Sequence, residues 1–124
     1  MSMFDDIAEF HKKFGHEYTG PPRILSDLEN KFRVLTMYEE WKEYCDAVMD
    51  EDKAEMFDAL IDLVYFSMGT AYLHGFDWDT GWRRVHEANM RKVRANSAGD
   101  SKRGSQLDIV KPDGWTPPNL EDLV

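Results

Sequence analysis

The sequence predicts an all-α fold, an antiparallel bundle of about four helices followed by an irregular C-terminal arm. Three observations carry this. Apolar residues recur at helical spacing through the first 95 residues, helix caps and stops punctuate them, and no segment sustains the alternation of a strand. The 124 residues are 42% hydrophobic and 31% charged, enough for one globular domain with a modest core. Helices this long and apolar are suited to sharing that core with a partner, so a homo-oligomer is expected.

Ser2 is placed to cap a first helix over Met3 to Phe14. Phe4, Ile7, Ala8 and Phe10 form its apolar stripe, and Gly15 ends it. GHEYTGPPR is a loop, because Gly20-Pro21-Pro22 cannot continue a helix. Ser26 and Glu29 form a capping box that opens a second helix. Leu28, Phe32 and Leu35 repeat along it toward Asp50. The connector Asp50-Glu51-Asp52 is so short that the third helix, Lys53 to His74, must return antiparallel. That helix is apolar on nearly every side after Phe57, which makes it the central one, and Gly75 stops it. Asp77 or Asp79 caps a fourth helix carrying Trp82, Val85, Ala88 and Val93. A helical domain over residues 1–95 thus precedes an extended arm over 96–124, rich in Gly, Ser, Pro and Asp. In the arm, Leu107, Ile109 and Val110 are able to pair briefly, and Trp115 and Leu120 to dock.

A formal net charge of −9 opposes indiscriminate nucleic-acid binding, which needs a Lys/Arg surface. The N-terminus carries no secretory pattern, the apolar stretch around Leu60 to Leu73 is broken by Asp62, and the single Cys45 suits a reducing compartment. A cytoplasmic protein, with no membrane partner, is therefore expected.

The chemistry lies in acids at helical spacing. Glu39, Glu40 and Glu43 stand on the second helix, and Asp58 and Asp62 on the third. Residues three or four apart share a helix face. Glu43 and Asp58 lie eight and seven residues either side of Glu51, so the two sets meet about 10 Å from the turn of the hairpin. Carboxylates gathered in an apolar run must be neutralised by protons or cations. Hard oxygen donors suit Mg²⁺, Mn²⁺ or Ca²⁺. The bland alternative is that the glutamates are solvated surface and Asp62 a satisfied polar group. A di-iron bundle is excluded, since no His has Glu three residues before it, and neither Asp50-Glu51-Asp52 nor Asp77-Trp78-Asp79 continues as an EF-hand loop.

These residues resemble the all-α nucleoside triphosphate pyrophosphohydrolases, the MazG-like family. Glu40-x-x-Glu43 followed by acids on the next helix is similar to its ExxE…ExxD signature. FHKKFG…PP, DALIDLVYFSMGTAYLHGF and VHEANMRKV resemble its phosphoribosyl-ATP-pyrophosphohydrolase-like branch, and SKRGSQLDIVKPDGWTPP resembles the tail of phage-encoded members. One departure stands out: position 59, where the family has Glu three before Asp62, is Ala59, with the acid at Asp58. Glu55 stands three before Asp58, so a register shifted by one turn is open.

The resemblance implies cleavage of a nucleoside triphosphate between its α and β phosphates, with two or more Mg²⁺ (or Mn²⁺) held by Glu40, Glu43, Asp58 and Asp62. Glu39 or Glu40 is the candidate to take a proton from water. Asn89 and Lys92, one turn apart, are candidates to hold phosphate or sugar, and Lys111 with Arg91, Lys102 and Arg103 offers positive charge for the leaving pyrophosphate. The family places the base beside the first helix, where His11, Phe14 and Phe32 are candidates, with the loop around Arg23 another edge reader. Tyr65 is a candidate to bond a carboxylate or the sugar. The expected substrate is a purine deoxynucleotide, dGTP or dATP. The alternatives are phosphoribosyl-ATP, or a non-catalytic acidic module that binds a basic partner.

Overall fold

The Ser2 hydroxyl accepts a hydrogen bond from the Asp5 backbone N–H at 3.1 Å, and the Asp5 carboxylate accepts one from the Ser2 N–H at 2.8 Å. This reciprocal pair satisfies two donors that a helix start leaves bare. It opens α1 (Met3–Lys13), which ends beside Gly15 at φ 76°. Three more helices follow: α2 (Asp27–Met49), α3 (Lys53–His74) and α4 (Trp78–Met90). The computed structural model describes residues 2–124, and their architecture is the all-α one that the spacing predicts. The chain forms two compact units, one running through Trp78 and one from Asp79 to Leu123.

In the first unit α3 is central, packed along α2 and against α1. Ser26 and Glu29 make the predicted capping box of α2. Asp50 ends α2, Glu51 takes a left-handed φ of 54°, and Asp52 caps α3 by accepting from the Glu55 N–H at 3.1 Å. The three-residue connector therefore closes both helix ends. Ile7, Leu25, Met68, Tyr72 and Leu73 form the core, with Phe4, Ala8, Tyr18 and Trp78 around it.

The Pro-Pro loop is tied to the end of α3. The Tyr18 N–H donates to the Tyr72 hydroxyl at 3.0 Å, and the Arg23 N–H to the His74 carbonyl at 2.8 Å. The Arg23 side chain donates to the Leu73 carbonyl at 2.8 Å and covers the Tyr18 ring at 3.6 Å. The Arg23 side chain is thus a clamp that holds the loop to the end of α3.

α3 is long and apolar enough, by length and composition, to cross a membrane, which the stretch measured from Leu60 understated. On it Phe57, Ile61 and Val64 are about half exposed or more, as are Phe32, Leu35 and Trp41 on α2. The apolar character of α3 is thus only partly used inside this chain.

The second unit corrects one boundary. α4 stops at Met90 rather than near Arg94. The Arg91 and Lys92 N–H groups turn back onto the Ala88 and Asn89 carbonyls, releasing the chain from the helix. Val93–Arg94 (β1) then pairs antiparallel with Ile109–Val110 (β2), Val93 opposite Val110. β-branched Val93 gains strand neighbours that it would lack on a frayed helix end. The arm is otherwise irregular but anchored. The Trp115 indole N–H donates to the Ala88 carbonyl at 2.7 Å, and Arg84 forms a forked pair with Asp122 at 2.6 and 3.1 Å. Trp115→Ala is expected to cost about 2–4 kcal/mol within this unit, since it removes a half-buried indole and a hydrogen bond. Limited proteolysis will show it as earlier cleavage within 96–124 while a fragment carrying α1–α3 persists.

Candidate active site

The antiparallel hairpin of α2 and α3 brings Glu40, Glu43 and Asp62 together, with one carboxylate oxygen from each lying within 4.8 Å of the others. Glu40 and Glu43 are three apart on α2, and Asp62 faces them from α3. At such a separation two full charges repel by on the order of 3 kcal/mol at an effective dielectric of 20. The site answers by resisting ionisation. Burial, then the charges of Glu43 and Asp62, then a hydrogen bond with Glu43 and the charge of Asp58, push the Glu40 carboxyl up to about 7. Burial, then Asp58 and Glu43, raise Asp62 above the usual carboxylate range.

Glu40 Oε2 is buried without any hydrogen-bond partner. A buried carboxylate oxygen left bare is costly, and its unmet need points to a ligand that donates positive charge. Three oxygens from two helices, with no nitrogen or sulfur among them, form a donor set for a hard divalent cation that keeps water in its remaining positions. The residues therefore fit Mg²⁺ or Mn²⁺.

Asp58 stands outside the converging group but contributes its charge to both Glu40 and Asp62. Glu39 also lies outside it and is exposed on α2. Glu55 belongs with the cap of α3 and a 220 Å³ acidic pocket shared with Glu43, Asp46, Asp50 and Asp52. The convergence is thus on Asp62, and the register shifted to Glu55 is not the one that gathers the carboxylates.

His11 is 4% exposed, with its ring stacked on Tyr72 at 4.8 Å and its Nδ1 unpartnered. Burial, then the nearby charges of Arg33 and His16, lower its pKa. Phe14 is exposed and leans on Phe10 at 4.9 Å. Tyr65 meets Phe10 edge-on at 5.4 Å and makes no bond to the carboxylates, the first of the two roles expected of it. Asn89, Lys92 and Lys111 belong to the second unit. Asn89 is exposed near the end of α4, while the Lys92 and Lys111 ammonium groups lie 5.3 and 5.0 Å from the Trp115 ring. Lys92 lies beyond the helix, so it does not share a helical face with Asn89.

Sequence spacing missed Arg33, a half-buried guanidinium stacked over Phe66 at 4.2 Å. Its signal was only its position, a guanidinium between Phe32 and Leu35 of the apolar repeat. Gly69 is what admits it. A Cβ at position 69 would sit 3.0 Å from His11 Nε2 and 3.2 Å from Arg33 Nη1. Gly69→Ala is expected to destabilise the fold by about 1–3 kcal/mol, because the buried imidazole has nowhere to move. Denaturant unfolding will register the loss.

Among curated proteins none matches the chain. A family model does match, that of phosphoribosyl-ATP pyrophosphohydrolase, over residues 7–89. The matched span runs from α1 almost to the end of α4 and contains the whole carboxylate cluster. With four helices and an acidic hairpin at its centre, the chain belongs to the phosphoribosyl-ATP pyrophosphohydrolase family, whose members are pyrophosphohydrolases acting on nucleotides.

Proposed function

We propose that the protein is a divalent-metal-dependent nucleoside triphosphate pyrophosphohydrolase, converting a deoxynucleoside triphosphate and water to the monophosphate and pyrophosphate, with purines preferred. The observation that carries this is the meeting of Glu40, Glu43 and Asp62 within 4.8 Å, with one Glu40 oxygen buried and bare. Glu40, Glu43 and Asp62 would hold the cation, and Asp58 adds charge from one turn away. When bound, Mg²⁺ supplies Lewis-acid polarisation of the α-phosphate and acidifies a bound water. The protein's part is to fix the carboxylates on two rigid helices and to accept a proton. Of Glu39 and Glu40, Glu40 has an oxygen in the converging group, which supports it as the acceptor. A chain of net charge −9 recruits a polyanionic substrate through cations. The half-exposed apolar residues of α2 and α3 support a homo-oligomer that covers them.

A second reading, hydrolysis of phosphoribosyl-ATP, is favoured by the description of the matching family. One assay separates the two. Pyrophosphate release is measured with Mg²⁺ from dGTP, dATP, dCTP, dTTP and phosphoribosyl-ATP. Release fastest from a purine deoxynucleotide supports the proposal, release only from phosphoribosyl-ATP selects the second reading, and release from none rejects both.

A further inference from the structure

Two helical turns from Glu40 along α2, about 10 Å, stands Arg33, and one turn beyond it Glu29. Both line a 180 Å³ cavity with His16, Phe32 and Leu73. The Arg33 guanidinium is half-buried, makes no ion pair among the described residues and rests on Phe66. Nη1 lies beside Gly69, and the guanidinium makes no hydrogen bond among the described residues, which leaves donors for a ligand. Glu29 uses Oε1 in the capping box with Ser26, which leaves Oε2 as an acceptor toward the cavity. The Phe32 ring, 60% exposed, adds a flat apolar wall. The cavity therefore combines a fork of donors, a carboxylate one turn away and an aromatic surface. Its distance from the acidic cluster is of the order of that between the phosphates and the base of an extended nucleotide.

We infer that this cavity reads a guanine base, with Arg33 donating to O6 and N7 and Glu29 accepting from the N2 amino group. The inference rests on the nucleotide reading proposed above and adds its base. Guanine alone among the common bases shows paired acceptors on one edge and an amino donor on the adjoining one. Adenine would turn its N6 amino donors toward the guanidinium, leaving donors facing donors. A second phosphate, as on phosphoribosyl-ATP, would meet the Glu29 carboxylate and be repelled. A bidentate guanidinium contact is worth roughly 10- to 100-fold in discrimination between bases.

The test compares wild type, Arg33→Gln and Glu29→Gln by two readouts. One is kcat/KM for pyrophosphate release from dGTP, dATP and dITP. The other is titration calorimetry of dGMP against dAMP, each with Mg²⁺. Wild type is expected to favour dGTP over dATP, and dGMP over dAMP, by at least about tenfold. Arg33→Gln should erase both margins. Glu29→Gln keeps the cap and should erase the preference for dGTP over dITP, which lacks the N2 amino group, so it decides the matter if Arg33→Gln does not fold. Equal handling of guanine and adenine by wild type, or margins that survive both substitutions, overturns the inference. Hydrolysis of dGTP and dATP alike, faster than of the pyrimidine triphosphates, removes this inference and leaves the proposed function standing. Preferential dGMP binding lost in Arg33→Gln, without any hydrolysis, does the reverse. A wild type that neither binds nor hydrolyses overturns both.

Discussion

Asp62→Asn is expected to reduce pyrophosphate release on the order of 10³-fold while raising the melting temperature of the metal-free protein. The two effects have one cause. Asp62 is one of three carboxylates whose oxygens lie within 4.8 Å, and its own carboxyl is raised by burial and by Asp58 and Glu43. The amide keeps the shape and removes the charge. Without cations, Glu40 and Glu43 lose a repulsive neighbour. Relief of about 1 kcal/mol would appear as a gain of about 3–6 °C in a chain of this size. With cations, one of three ligands is gone, and several kcal/mol of transition-state charge stabilisation goes with it. A fall in activity accompanied by a fall in metal-free stability would instead make Asp62 a structural group. Activity within tenfold of wild type would remove it from the site.

The second large effect is a stability profile that depends on both pH and metal. The Glu40 carboxyl is pushed from its ordinary value of 4.5 to about 7 in the fold. In the metal-free protein the folded state therefore holds a proton that the unfolded chain has released. Unfolding stability then falls as pH rises from about 4.5 to about 7, and levels off above that. The raised Asp62 acts in the same direction. On the proposed function, Mg²⁺ or Mn²⁺ would replace the proton, bind the folded hairpin and stabilise it more as concentration rises. Melting temperatures measured from pH 4.5 to 8 should thus decline in chelator and flatten or rise in Mn²⁺. A decline of the same size in both would show that the carboxylates are neutralised by something other than a divalent cation. Glu43→Gln should flatten the chelator profile, because it removes the strongest of the charges acting on Glu40.

Much of this molecule was readable as one-dimensional signal. Ser26 and Glu29 announced the start of α2, Gly75 the end of α3, and the three residues 50–52 announced the antiparallel return. The acidic hairpin followed from that return and from the period of the helix, both local properties. Where local signals were weak, the expectation failed. Nothing in VHEANMRKV marks Met90 as the last helical residue. What ends α4 is that Val93 and Arg94 find Ile109 and Val110, a partner 15 or more residues away. The clamp made by Arg23 was equally illegible, because the Leu73 carbonyl that accepts from its side chain lies 50 residues further along the chain.

The same division applies within the site. Chain periodicity by itself determined that the bundle is helical, that α2 and α3 run antiparallel, and that the acids of α2 meet those of α3, since each depends on spacing along a regular element. Only the tertiary structure decided that Asp62 rather than Glu55 completes the group, that one oxygen of Glu40 is buried and bare, and that Arg33 is sheltered beside Gly69. Those facts depend on which side chains exclude water from one another, and exclusion is a property of packed neighbours from different segments, which no single helix encodes.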